Sequence, residues 1–439
     1  MSAKRPPSPS GASISPPPLK RKIESTTTSK AIATFFKPAS QKKPEQIIWR
    51  IVNRALLIAK YTVEGSPTIS GPRPRKIAAF DLDDTLIKPV AGNKWLKSAT
   101  SWQWWDASVP QKLRELHAKG FQLVIISNQS GIGLKDNPKT LQKDSASLTN
   151  FKNQVSAVLR QLDLPISLYA ATEQDKYRKP RTGMWDEMLE DYALEASSDV
   201  DMANSFYVGD AAGREKTEKR VKDHSCSDRD LAANIGIPFH TPEEYFLGND
   251  PEPFTRVFEP EQYLEQAESI DVQPKYEKLN KFDIVIFCGS PGAGKSTFFW
   301  EHLKPLGYER VNQDLLKTRD RCVKKALEHL RAGNSVVVDN TNADPETRAI
   351  WVKLAEAENV PIRCVLFTAS SRLCEHNSTI NPEKRALLPG MAFKSFASRF
   401  KQPQASEGFQ DITTVNFEFK GTDEQKANWS RYWVSRFST

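Results

Sequence analysis

Cysteine is scarce in this 439-residue chain: Cys226, Cys288, Cys322, Cys364 and Cys374, with no C-x-x-C pair among them. That argues against a disulfide framework or a thiolate zinc module and fits a reducing, intracellular compartment. No apolar run approaches the roughly 20 residues needed to cross a bilayer, so no membrane association is expected. The first thirty residues offer lysine, proline and serine but no apolar core for a secretory signal. Net charge is also missing from most of the chain. Residues 1–44 hold nine Lys/Arg against one acid, and the other 395 residues balance at 53 of each sign, so the formal +8 resides in the tail. The basic pI therefore says nothing about nucleic-acid binding by the body, where any cationic groove must come from local clustering.

What is present divides into four segments. Residues 1–44 contain eight prolines, many Ser/Thr and few large apolar residues, too little to offset chain entropy, and are expected to be disordered. Residues 45–258 alternate apolar runs with amphipathic stretches. After an apolar run at 55–61, where folded structure begins, strands are predicted at 76–80, 122–127, 167–171 and 205–209, and helices at 109–119 and 149–162, the pattern of a parallel sheet covered by helices. Residues 259–281 are polar and acidic and read as a linker that could pack as a helix. Residues 282–439 start a second series, with strands at 282–288, 335–339 and 361–367. The fold class is α/β, in two different domains without an internal repeat.

The first strand ends in Asp81-Leu82-Asp83-Asp84-Thr85. Two carboxylates spaced by two lie on one face of an extended chain. Phosphoryl transfer to a carboxylate needs an aligned nucleophile, a second acid for the leaving oxygen, and a divalent cation. Asp81 suits the first role and Asp83 the second. Further candidates follow later strands in order. Ser127 and Asn128 can hold phosphate oxygens, Arg178 and Lys179 can offset an acyl-phosphate's charge, and Asp210 can ligate Mg²⁺. Taken singly these residues could be a turn, surface cations and a helix cap; their occurrence in register favours chemistry.

The second series opens with Gly289-Ser290-Pro291-Gly292-Ala293-Gly294-Lys295-Ser296-Thr297 directly after an apolar strand. Gly289, Gly292 and Gly294 let backbone N–H groups curl around phosphate, Lys295 reaches the terminal phosphates, and Ser296 ligates Mg²⁺, with Thr297 opening the helix. A kinase also needs a base for the acceptor hydroxyl. Asp314 is placed for that, or for capping a helix predicted over 315–331. Asp339 and Asn340 end another strand, where Asp339 could join the metal shell or orient the acceptor. Arg319, Arg321 and Arg348 are candidate phosphate contacts.

The four motifs of the first series resemble those of the HAD phosphohydrolases over about residues 75–245, with Asp84 where most members have Gly. Together with Gly209-Asp210-Ala211-Ala212-Gly213-Arg214, Asp223-His224-Ser225-Cys226-Ser227-Asp228 and the P-loop, they resemble the polynucleotide kinase 3′-phosphatases over roughly residues 50–439. The resemblance implies a HAD-like, Rossmann-like phosphatase followed by a P-loop kinase, the order of the eukaryotic DNA-repair enzymes. It implies removal of 3′-phosphates through an aspartyl-phosphate on Asp81, with Asp83 as acid/base. The strand-end carboxylates Asp81, Asp83 and Asp210 would lie at Mg²⁺. It further implies phosphorylation of 5′-hydroxyls from ATP, with Lys295 and Ser296 on ATP and its metal and Asp314 as base. Two departures matter. Residues 1–44 are too short for the phosphopeptide-reading FHA domain common in the family. Where relatives carry arginines that clamp ATP, this chain offers Arg385.

In the tail, Lys4-Arg5 and Lys20-Arg21-Lys22 have the spacing of a bipartite nuclear import signal. Ile32, Phe35 and Phe36 resemble a motif that docks on the replication sliding clamp, with Ser29 where Gln is usual. The expectation is a nuclear, monomeric enzyme acting on DNA strand-break ends. Two alternatives stay open: a bifunctional small-metabolite kinase/phosphatase, since fold does not fix substrate, and an inactive clamp-recruited scaffold. Rings at Trp95, Trp102, Trp104, Trp105, Phe121, Trp429, Tyr432, Trp433 and Phe437 could stack on bases, though core packing accounts for most.

Overall fold

The computed structural model describes residues 46–63, 73–90, 101–134, 144–218, 220–268, 276–380 and 388–434. The tail motifs, Trp95, Arg385 and Phe437 lie outside them. None of the helices described is long and apolar enough to cross a membrane.

The first sheet has seven strands in the order β1-β2-β7-β6-β3-β8-β9. These are β1 Ile47–Val52, β2 Leu56–Tyr61, β3 Ile77–Phe80, β6 Gln122–Asn128, β7 Ile166–Ala171, β8 Phe206–Val208 and β9 Phe239–His240. Alternate residues feed two cores: Ala78, Phe80, Leu123 and Ile125 pack on one face, and Ile77, Ala79, Val124 and Ile126 on the other. A strand buried on both faces has to be apolar throughout, as these are. Helices α1 Val109–Ala118, α2 Ala146–Leu162, α3 Gly183–Asp191 and α4 Ser227–Ile235 lie between the strands in sequence.

This sheet is mixed, whereas the alternation predicted a parallel one. β2 runs antiparallel to β1 and β7, while β3, β6, β7, β8 and β9 are parallel to their other neighbours. The cause is local. Asn53 and Arg54 both take left-handed φ, 50° and 54°, the backbone of a tight hairpin turn. A short ribbon, β4 Ile87–Pro89 with β5 Trp102–Trp104, follows the Asp81–Thr85 loop.

Residues 259–281 are in part helical: α5, Pro260–Glu268, puts Leu264 with Phe258, Leu373 and Trp429 in one apolar cluster. The second sheet is fully parallel, ordered β11-β12-β10-β13-β14. Its strands are β10 Ile284–Cys288, β11 Glu309–Val311, β12 Val336–Val338, β13 Ile362–Phe367 and β14 Ile412–Val415. Its helices include α6 Lys295–Phe298, α7 Gln313–Leu316, α8 Arg319–Arg331, α9 Pro345–Ala357, α10 Ser371–Thr379, α11 Gly390–Arg399 and α12 Asp423–Trp429. The helix predicted over 315–331 is broken, because Lys317 takes φ 73° and Thr318 caps a new helix by accepting from the Arg321 N–H.

Candidate active sites

In open α/β sheets, functional loops gather at the carboxyl ends of the strands. Asp81 follows β3, Ser127 ends β6 and Asp210 follows β8. Carboxylate oxygens of Asp81, Asp210 and Asp228 all lie within 4.8 Å of one another. Asp228 arrives on the first turn of α4, and its approach requires Gly209, where a Cβ would sit 2.6 Å from the Asp228 Cβ. Lys179, 2% exposed, closes the cluster. Its Nζ lies 2.8 Å from Asp81 Oδ1 and 2.7 Å from Asp228 Oδ1, and donates to the Ile126 carbonyl and the Tyr207 hydroxyl at 3.0 Å.

The electrostatics follow from this crowding. Burial, then Asp228 and Asp81, pushes the Asp210 carboxyl well above its usual range. Burial also raises Asp228, against the opposing pull of Lys179. Burial draws the Lys179 ammonium down, but the two carboxylates more than offset it. Three carboxylates sharing one lysine are short of positive charge. Such an oxygen-only set suits a hard divalent cation.

Asp83 stands outside the trio, so its carboxylate is not a member of the metal set and Asp228 takes that place. Burial, then Asp81, lifts Asp83 to about 6, and Gln129 Nε2, which donates to Asp83 Oδ2, opposes the rise. The same amide donates to Ser127 Oγ at 3.0 Å. Asp84 has φ 54°, a left-handed conformation that favours glycine and that Asp tolerates.

Asn128 fixes the lysine loop: its Nδ2 donates to the Lys179 carbonyl at 3.3 Å and its Oδ1 accepts the Lys179 N–H at 2.9 Å. Arg178 is half-buried with an Nη1 that has no hydrogen-bond partner. An unpaired buried guanidinium nitrogen is a ready anion contact.

The P-loop lines a cleft of about 910 Å³ with Gly292, Gly294, Lys295, Ser296, Thr297, Asn312, Asp314, Arg319, Asp339, Asn340 and Arg399. Gly292 at φ 80° passes the Cys374 carbonyl, which a Cβ would meet at 2.6 Å. Lys295 Nζ donates to the carbonyls of Gly289 and Ser290 at 3.0 and 2.6 Å. Ser296 Oγ donates to Asp339 Oδ2 at 2.8 Å, which favours the metal-shell reading of Asp339 over acceptor binding. Arg310, which the sequence reading passed over, donates from Nη2 to Ser296 Oγ at 2.8 Å and from Nε to Asp339 at 2.7 Å. Its guanidinium stands in for a cation held by those two oxygens, so the pair fits a metal ion.

Asp314 is exposed on the cleft and is not the helix cap. Asn312 caps α7, its Oδ1 accepting the N–H groups of Asp314 and Leu315, and its Nδ2 donates to the Asp339 carbonyl at 2.6 Å. Asn340 spends its Oδ1 on the Gln313 N–H at 2.9 Å, which ties the Asp314 turn to the β12 loop. Arg348 cannot touch phosphate: it is fully buried and holds Glu407 and three backbone carbonyls. Arg321 does not line the cleft, whereas Arg399 does, on α11 beyond the undescribed Arg385. Trp429 is buried and stacks on Phe417, so it serves packing.

Residues 76–246 match the family model described as polynucleotide kinase 3 phosphatase, and residues 284–403 match that of an AAA domain. The chain is 40% identical over 391 residues to the bifunctional polynucleotide phosphatase/kinase of Schizosaccharomyces pombe, covering 88% of each. It is 31% identical to a putative bifunctional polynucleotide phosphatase/kinase of Acanthamoeba polyphaga mimivirus, over 82% of this chain and 88% of that one. A polynucleotide 3′-phosphatase of Saccharomyces cerevisiae matches 39% of the chain at 28% identity. The chain belongs to the family of bifunctional polynucleotide phosphatase/kinases.

Proposed function

We propose that the enzyme heals DNA strand-break ends, with Asp81 taking the phosphoryl group from a 3′-phosphate and Asp314 activating a 5′-hydroxyl for transfer from ATP. The observation that carries the phosphatase assignment is the buried Lys179 between Asp81 and Asp228, beside a separate carboxyl, Asp83, whose pKa burial and Asp81 raise. Asp81 attacks phosphorus while Asp83 gives its proton to the leaving 3′-oxygen. Asp83 then takes a proton from the water that hydrolyses the aspartyl-phosphate. Lys179 balances the negative charge that gathers on Asp81, and Arg178 and Ser127 face the phosphoryl oxygens. Asp81, Asp210 and Asp228 would hold Mg²⁺, which supplies charge neutralisation when bound. In the kinase part Lys295 and the P-loop N–H groups hold the ATP phosphates, and Ser296 and Asp339 would hold the nucleotide's Mg²⁺. Arg399, which lines the cleft, is a second candidate for the clamping role beside Arg385.

Family membership favours a polymer end over a small metabolite, and intact Asp81, Asp83, Lys295 and Asp314 oppose a scaffold. End-labelled assays on nicked, gapped and single-stranded DNA and RNA test the reading. Turnover of nicked and gapped DNA is expected, and a preference for small phosphate esters would overturn it. Nuclear import through Lys4, Arg5, Lys20, Arg21 and Lys22 is part of the proposal, and a tagged chain with these changed to Ala should lose nuclear accumulation. Clamp docking through Ile32, Phe35 and Phe36 is retired if Phe35→Ala plus Phe36→Ala leaves clamp pull-down unchanged.

A further inference from the structure

Helix α12 is anchored in the kinase part: the buried His376 Nε2–H donates to the Trp429 carbonyl, and Trp429 Nε1 donates to Asn377 Oδ1, each at 2.8 Å. Three residues past Trp429, the chain reaches the phosphatase part. There Asn234 on α4 makes both backbone bonds of Tyr432, with Nδ2 donating to its carbonyl at 2.7 Å and Oδ1 accepting its N–H at 2.8 Å. The remaining hydrogen of Nδ2 goes to the Pro180 carbonyl at 2.8 Å. The Tyr432 hydroxyl donates to Glu259 at 2.9 Å. Its ring lies 4.1 Å from the Arg256 guanidinium, which in turn holds Asp230 on α4 at 2.7 Å.

A primary amide has two donors and one carbonyl acceptor, and all three are used here. What they join is informative. Asn234 shares α4 with Asp228, and Pro180 follows Lys179, so one side chain ties the segment after α12 to the two elements that complete the phosphatase cluster. An aspartate would set a carboxylate against two carbonyls, and an alanine would leave three polar groups without their partner.

We propose that residues 430–434, just beyond α12, form a clasp, with Asn234 and Tyr432 as positioning residues that hold Asp228 and Lys179 in register for the 3′-phosphatase reaction. The full phosphatase rate then depends on residues from the kinase end of the chain, outside the phosphatase part. The inference rests on the assignment of Asp81 as phosphoryl acceptor.

Its test uses the full chain with Asn234→Ala, Tyr432→Pro and the double variant, assayed on a 3′-phosphate oligonucleotide and, separately, a 5′-hydroxyl oligonucleotide. Each single change should lower phosphatase kcat about tenfold, the scale of a small misplacement of reacting groups. KM and kinase kcat should stay within about twofold. The double variant should lose less than the product of the two single losses, since the bond from the Tyr432 N–H to Asn234 is removed by both changes while each also removes contacts of its own. Hydrogen exchange should rise in α4 and in residues 176–182, a readout independent of turnover. Full phosphatase kcat in Asn234→Ala, equal loss of both activities, or additive losses would overturn the clasp. If Asp81→Asn retained phosphatase activity, the site assignment itself would fail; an inactive Asp81→Asn beside a fully active Asn234→Ala would sink the clasp alone.

Discussion

Asp83 and Asp81 are two residues apart and do different work because their surroundings differ. Asp81 touches the Lys179 ammonium, while the half-buried Asp83, raised by burial and by Asp81, is held at about 6. As the proton donor it must be protonated, so phosphatase kcat/KM should fall as pH rises through that ionisation, about tenfold per unit above it. Gln129 favours the carboxylate form. Gln129→Ala should therefore raise Asp83 further and move the alkaline limb to higher pH; a limb that stays or moves down in a pH–rate profile contradicts the role. Asp83→Asn should cost about 10²–10⁴ in kcat. Lys179→Met leaves Asp81 and Asp228 facing each other without their shared cation. Losing one partner of such a buried pair costs about 3–5 kcal/mol, which a lowered thermal midpoint would report.

Among the elements, the short helix α7 decides where the kinase base stands. Its Asn312 cap holds the N–H groups of Asp314 and Leu315, and the same side chain reaches the Asp339 carbonyl across the cleft. Asn312→Ala should cost about 1 kcal/mol as a lost cap. It should also lower kinase kcat more than it raises KM for ATP, because it frees Asp314 and leaves the P-loop intact. Denaturant midpoints and steady-state kinetics check the two halves; a stability loss with unchanged kcat would detach Asp314 from the chemistry. The break after α7, at Lys317 with φ 73°, keeps this turn independent of the longer helix α8. No glycine or proline marks that break in the sequence, which is why one continuous helix was the natural reading.

At the scale of the whole molecule, the two sites sit at the carboxyl ends of separate sheets and share no side chain among the described residues. Asp81→Asn should abolish 3′-phosphatase activity and spare the kinase, and Lys295→Ala should do the reverse. Loss of both activities from either change, in protein with an unaltered thermal midpoint, would rule out two independent sites. Independence of chemistry is compatible with mechanical dependence, since α5 and the segment after α12 pack across both parts.

Sequence by itself determined the chemistry-bearing strand ends. Apolar runs terminated by Asp81, Asp210, Gly289 and Asp339 are local patterns, and a parallel strand buried on both faces must be apolar along its length and polar only where it ends. The antiparallel edge was hidden because Asn53 and Arg54 adopt left-handed φ without a glycine to announce it. Other assignments depended on distance in space. Asp228 joins Asp81 from far along the chain, through the absent side chain of Gly209. Arg348 looked like a phosphate contact until burial gave it Glu407. A side chain's residue type fixes what it can donate, accept or neutralise; only the tertiary structure decides which partner it meets and whether water still reaches it.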